Sequence, residues 1–161
     1  MEEQCNYIPH QALWNTIWWS EALPKVKLFI WTLCHEKIRI VKNLQKRENQ
    51  GPSICIMCKA SKEIIQHLFM DCPYNLEVWN NTLYPLMTDV PNFHSWKDLY
   101  LIWHKFYPRS FKNKPLLKRA YNIIPYYVNW KIRLRKNRKI FNNEIWSPRK
   151  DVFLKAMGLL D

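Results

Sequence analysis

Four residues of this sequence have the types and the spacing of a metal site. They are Cys55, Cys58, His67 and Cys72, in the order C-x2-C-x8-H-x4-C. Zn²⁺ takes four soft or borderline donors in a tetrahedron, and thiolates and imidazole supply them. Two Cys separated by two residues fold back in a tight turn, so both sulfurs face one point. A His-x4-Cys pair returns the other two donors from the end of a short helix. A lone C-x2-C also reads as a redox pair, and free Cys is often plain core. Two donor pairs within eighteen residues weigh toward metal. All four positions are then filled by protein, which leaves none open for water or substrate and makes the site structural, one Zn²⁺ per chain. Cys34 and His35 invite a second reading, as extra ligands or a Cys/His dyad. Adjacent residues do not face one another on a helix, however, and no third orienting group is evident. A core thiol beside a helix-terminal histidine is the plainer reading.

The elements that must position these donors are helices. Hydrophobic residues make up 48% of the 161 and aromatics 15%, with nine Trp, which excludes a disordered chain. Only two Gly occur, Gly51 and Gly158, so sandwiches, barrels and phosphate-cradling loops that lean on glycine turns are disfavoured. The expected fold is mostly α: a small helical domain holding the Cys3His site, with a basic helical extension at the C-terminus. Trp14, Ile17 and Trp18 fall at helical spacing within 11–19, and Pro24 opens a second segment at a position where its missing N–H costs nothing. From Lys25 to His35 the apolar residues lie on nearly every side, which predicts a helix buried at the centre of the fold. Ile38 to Leu44 lead a short third segment. Ser61 is placed to cap a helix running from Lys62 to about Met70, with Glu63 in its first turn and His67 on its body. Leu76, Trp79, Leu83 and Leu86 predict an amphipathic helix after Pro73, and Trp96 to Tyr107 another. Pro108 to Pro115 reads as a basic loop. The last segment is 116–142, with Pro125 predicting a start, kink or break and Tyr127, Trp130, Leu134 and Phe141 a possible stripe. The domain division expected is 1–90 and 91–161.

Charge is distributed unevenly. Residues 1–108 carry 11 Lys/Arg against 10 Asp/Glu, whereas 109–150 carry 13 against the single acid Glu144. A block of that kind points to an anionic partner, most simply RNA or DNA. The candidate contacts are Lys118, Arg119, Lys131, Arg133, Arg135, Lys136, Arg138 and Lys139. The acidic start lacks a secretory pattern and no stretch is apolar enough to span a bilayer, so the expectation is an intracellular, reduced protein without a membrane partner.

Several residues together resemble one family. They are Trp14-x2-Ile17-Trp18, Pro24-Lys25-Val26-Lys27-Leu28-Phe29-Ile30-Trp31, Leu44 with Arg47, Cys55-x2-Cys58, Glu63, His67-Leu68-Phe69, Cys72 and Trp79. The pattern is similar to the zinc-binding domain found behind the reverse transcriptase of plant LINE-type (non-LTR) retrotransposons. Trp130-Lys131-Ile132-Arg133 and Lys136-Asn137-Arg138-Lys139-Ile140-Phe141 resemble the stretch downstream of that domain, with Lys136 where the pattern has Arg. The resemblance implies a non-catalytic accessory domain that contacts nucleic acid, or one that packs on a reverse transcriptase domain or other protein as a scaffold. It does not carry catalysis. A polymerase needs paired aspartates for two metal ions, and no Asp-Asp pair occurs in this sequence. The C-terminal part also has too few carboxylates for a ribonuclease H site.

Overall fold

The structure, a computed structural model, describes residues 10–38, 54–83 and 96–142. Five α-helices occur among them: α1 His10–Trp18, α2 Pro24–Cys34, α3 Pro73–Leu83, α4 Asp98–Ile102 and α5 Pro115–Asn142. A π-helical turn spans His67–Asp71, and 3-10 turns span Trp103–Lys105 and Arg109–Phe111. The mostly helical expectation holds. The expected third segment around Val41–Leu44, together with Arg47, Leu86 and Glu144, lies outside the described residues.

Pro24 occupies the first turn of α2, as its spacing predicts. The helix ends where Glu36 takes a positive φ of 56° and the N–H of Lys37 reaches back to the carbonyl of Thr32 at 2.9 Å. That is a Schellman-type stop carried by a non-glycine residue. α2 is not buried all round. Val26, Phe29, Ile30, Leu33 and Cys34 face the core, while Leu28 is 56% exposed. The full circle of apolar residues therefore overstates its burial: α2 packs on α1 and α5 but keeps one side in water.

Tryptophan placement divides along the same line. Trp79 is buried, Trp18 and Trp31 are half-buried, and Trp14 is 40% exposed. Trp14 instead packs its ring against Trp18 and Trp31, with centroids 5.2 and 4.8 Å apart. The periodicity that marks α1 as amphipathic is satisfied by Leu13 and Ile17 alone.

The long helix α5 passes through the middle of the structure, against α2, α3 and the 3-10 turns. Its inward residues are Tyr121, Ile124, Pro125, Val128, Asn129, Ile132, Arg135 and Lys136. The expected stripe through Tyr127, Trp130, Leu134 and Phe141 is half-buried at best, and Phe141 is 78% exposed. The reason is chemical: two of the inward positions are cations, which an apolar-periodicity reading assigns to solvent.

Pro125 neither starts nor breaks α5. A proline inside a helix leaves the carbonyl four residues earlier without its donor. That carbonyl belongs to Tyr121, and the indole Nε1–H of Trp103 donates to it at 2.8 Å. The same two residues stack, ring centroids 4.7 Å apart and nearly parallel, while the Tyr121 hydroxyl donates to the Phe106 carbonyl at 3.0 Å. Trp103 thus stands in for the missing backbone donor, and the 3-10 turn that follows α4 is fastened to α5 at the point where α5 would otherwise fail.

Candidate metal centre

The Cys3His unit is built from two short pieces. The first is a turn closed by a single antiparallel bridge between Ile54 and Lys62. The Cys55 N–H donates to the Ser61 carbonyl at 2.7 Å, the Lys59 N–H to the Cys55 carbonyl at 2.8 Å, and the Ala60 N–H to Cys58 Sγ at 3.5 Å. Lys59 adopts a positive φ of 57° to make this reversal, a conformation that suits glycine better. An N–H aimed at a sulfur is what a thiolate requires, because it spreads the charge.

The second piece is the π-helical turn. The expected helix from Lys62 to Met70 is shorter: helical backbone begins only at Ile65, and Ser61 contributes its carbonyl to the bridge instead of capping. Widening the turn places His67 and Cys72 on one side, with the Cys72 N–H donating to the His67 carbonyl at 2.7 Å. A π turn leaves carbonyls that a regular helix would satisfy. Asn75 Nδ2 takes the Leu68 carbonyl at 2.6 Å and Trp79 Nε1 the Phe69 carbonyl at 3.1 Å. Both donors lie on α3, which starts at Pro73 directly after the last Cys. The periodicity puts Trp79 on the apolar stripe of its helix; its N–H as a support for the turn, and the Asn75 amide, carry no periodic signal.

These pieces bring all four expected donors together. One donor atom from each of Cys55, Cys58, His67 and Cys72 lies within 4.8 Å of the others. Cys58 Sγ is 3.3 Å from His67 Nε2 and Cys55 Sγ is 4.0 Å from Cys72 Sγ. A tetrahedron with metal–sulfur bonds of ~2.3 Å and a metal–nitrogen bond of ~2.0 Å has edges of roughly 3.5 Å between sulfur and nitrogen and roughly 3.8 Å between sulfurs. The donor set is of the size and chemistry that suit a Zn²⁺ ion, with separations of up to 4.8 Å. Among the described residues no other group of three or more such donors converges. Cys34 stands apart from them; burial pushes its thiol up to about 12, the state of a core thiol and not of a ligand.

The electrostatics favour a thiolate at the centre. Cys55 is held down to about 5, first by the hydrogen bond from Cys72 and then by the N–H groups of Cys58 and Met57, against the opposing effect of burial. Cys72 moves the other way, raised by that same hydrogen bond and by burial. A divalent cation bound between the two sulfurs would hold both as thiolates, because metal binding displaces thiol protons.

The cations of α5 meet this unit directly. Lys136 pairs with Glu63, both buried. Arg135 Nη1 donates to the Tyr74 carbonyl at 3.2 Å, and Lys139 Nζ to the carbonyl of Met57, between the first two Cys, at 3.3 Å. Glu63 is thus not a helix-dipole residue but an anchor for α5, 73 positions downstream. The other candidate contacts lie elsewhere. Arg133 lies over the rings of Phe29 and Trp130 at 5.1 and 4.6 Å, its guanidinium lowered by burial. Lys118 covers Tyr107 at 4.6 Å. Arg119 pairs at the surface with Glu21 at 3.2 Å. Lys131 is half-buried and Arg138 exposed. No helix of the described residues is long and apolar enough to cross a membrane.

No solved structure matches the chain. A curated protein of Arabidopsis thaliana whose name assigns it provisionally to ribonuclease H is 25% identical over 68 residues, 42% of this chain. The chain spans only 11% of that protein's length. A convergent Cys3His cluster is a donor set that suits zinc, and residues 2–79, which contain all four donors, match the family described as zinc-binding in reverse transcriptase.

Proposed function

We propose that this chain is a non-catalytic zinc-binding accessory module, related to the reverse transcriptases of plant LINE-type retrotransposons, that contacts nucleic acid through its basic C-terminal part. Residues 1–90 form the zinc-binding domain and 91–161 the basic helical region, and the protein works inside the cell. Cys55, Cys58, His67 and Cys72 hold one structural Zn²⁺. The observation that carries the reading is the convergence of those four donors in a sequence whose stretch 109–150 carries 13 Lys/Arg against one acid. The metal supplies folding free energy on the order of 10 kcal/mol, which suits an element whose job is to hold shape. The match to a family described by metal binding, not by polymerisation, supports a role beside a catalytic domain.

A second reading has its own observation. Trp19, Leu23 and Leu28 are 84%, 49% and 56% exposed on or beside α1 and α2, an apolar surface of the kind that packs on another polypeptide. In that case the module is a scaffold for a reverse transcriptase domain or another protein.

One titration separates the two. The zinc-loaded chain should bind unstructured RNA or single-stranded DNA, with affinity falling steeply between about 50 and 200 mM salt. No binding at low salt refutes nucleic-acid contact and leaves the scaffold. Metal analysis should give one zinc per chain, lost in Cys72→Ala. Primer extension by the purified chain would refute the non-catalytic assignment.

A further inference from the structure

The strongest unpaired charge of the described structure is not on the face of α5 that meets the Cys3His unit but at the other end of that helix. Between His104 and Arg119 the chain carries Lys105, Arg109, Lys112, Lys114, Lys118 and Arg119 and no acid at all. Lys105, Arg109, Lys112 and Lys114 are exposed and take part in none of the ion pairs among the described residues. The nearest acid in sequence on the N-terminal side is Asp98.

A run of cations is ordinarily a solvated face, but this one is held in shape. Phe111 N–H donates to the Pro108 carbonyl at 2.9 Å, Lys112 N–H to Arg109 at 3.1 Å and Lys114 N–H to Phe111 at 2.9 Å. The segment is tied to the core at both ends: the Tyr121 hydroxyl holds the Phe106 carbonyl, and the Phe111 ring meets the Tyr121 ring edge-on at 6.3 Å. It leads straight into the N-terminus of α5, whose dipole adds to the positive field. Aromatic rings interleave with the charges. Phe106 is 42% exposed, and Tyr107, half-buried, sits beneath the Lys118 ammonium.

Cations two to four residues apart on an ordered backbone are placed to contact phosphates, and an exposed ring beside them offers a face for an unpaired base. A duplex has no unpaired base to give. We propose that residues 104–119 are the principal contact surface and that its ligand is single-stranded polynucleotide, held by Lys105, Arg109, Lys112 and Lys114 with Phe106 as the stacking platform. This deepens the nucleic-acid reading above and rests on it.

The test uses the full zinc-loaded chain and a fluorescent 20-mer as single-stranded RNA, single-stranded DNA and duplex DNA. One variant replaces Lys105, Arg109, Lys112 and Lys114 with Gln; a second replaces Lys131 and Arg138, on the distal part of α5, with Gln. All substituted side chains are exposed or half-buried, and zinc content with circular dichroism checks folding. The expected result is single strands bound tighter than duplex. The first variant should lower the slope of log affinity against log salt by about two to three, as loss of three to four phosphate contacts requires. Phe106→Ala should weaken single-strand binding roughly tenfold and Phe106→Trp restore it. Binding that survives in the first variant and fails in the second overturns this assignment but keeps the broader reading. A wild-type preference for duplex also overturns it. No binding by the wild type overturns both.

Discussion

Replacing Lys136 by Met is the sharpest test of how the Cys3His unit and α5 are joined. The side chains of Lys136 and Glu63 are 8% and 0% exposed, so screening by water gives little relief when one partner goes. Met preserves most of the stem's volume and is as good a helix former, which confines the perturbation to the ammonium. Removing one member of a buried pair typically costs ~3–5 kcal/mol, because the other is left in a medium that cannot solvate it. Against a total stability on the order of 5–15 kcal/mol, that is a large fraction. The variant should therefore lose about 3 kcal/mol in urea unfolding at fixed zinc. Amide exchange should rise locally in residues 54–71, since Glu63 no longer ties the turn to α5. Glu63→Leu with Lys136→Met should recover most of the loss, as an apolar pair of matched volume can replace a buried ion pair. The reasoning fails if Lys136→Met costs less than about 1 kcal/mol. It fails equally if the double substitution costs the sum of the single ones, since coupled partners do not add.

Three further outcomes follow from the geometry. Trp103→Phe should cost about 1–3 kcal/mol by orphaning the Tyr121 carbonyl, and adding Pro125→Ala, which restores a backbone donor to that carbonyl, should recover part of it; additive losses in a double-mutant cycle would refute the substitution of indole for amide. Lys59→Gly should tighten zinc several-fold in a chelator competition, because the positive φ at 59 costs an L-residue ~1–2 kcal/mol that glycine avoids; unchanged or weaker affinity would count against strain there. Alkali should destabilise the protein through its buried acids: Cys34 is raised from 9.0 to about 12 and Tyr121 from 10.0 to about 12, each by burial. The folded state keeps protons that the unfolded state has lost, so this contribution is complete below about pH 9 and disappears as pH climbs toward 12, by about 1.4 kcal/mol per unit for each group. Cys34→Ala should flatten the decline of the urea midpoint between pH 9 and pH 11, and an unaltered slope would refute the assignment.

The donors and most helices were legible because their signals are local. Spacing alone places Cys55, Cys58, His67 and Cys72 on one point, and Pro24 and Pro73 mark helix starts that the structure keeps. What periodicity misjudged was the depth of α2 and the inward face of α5. An apolar residue on a helix does not say whether a neighbour will cover it, and Leu28 has none that buries it. Lys136 and Arg135 read as solvent-facing because cations usually are; their burial depends on Glu63 and the Tyr74 carbonyl, each more than sixty positions away. The tolerance of Pro125 was likewise hidden, since the donor that rescues it is a side chain of another element. The π turn has no composition of its own and becomes visible only through Asn75 and Trp79 reaching its carbonyls.

The 73-residue separation between Glu63 and Lys136 also sets an order of events during synthesis. The four donors fall within eighteen positions of one another, so the Cys3His unit can close over a short loop as soon as its last Cys has left the ribosome, at small entropic cost. α5 emerges later, and until it does the surfaces of α2 and α3 that it covers face water, with Glu63 waiting beside them. Nascent chains halted before residue 136 are therefore metal-competent yet sticky, a stage at which chaperone contact or self-association has its opportunity.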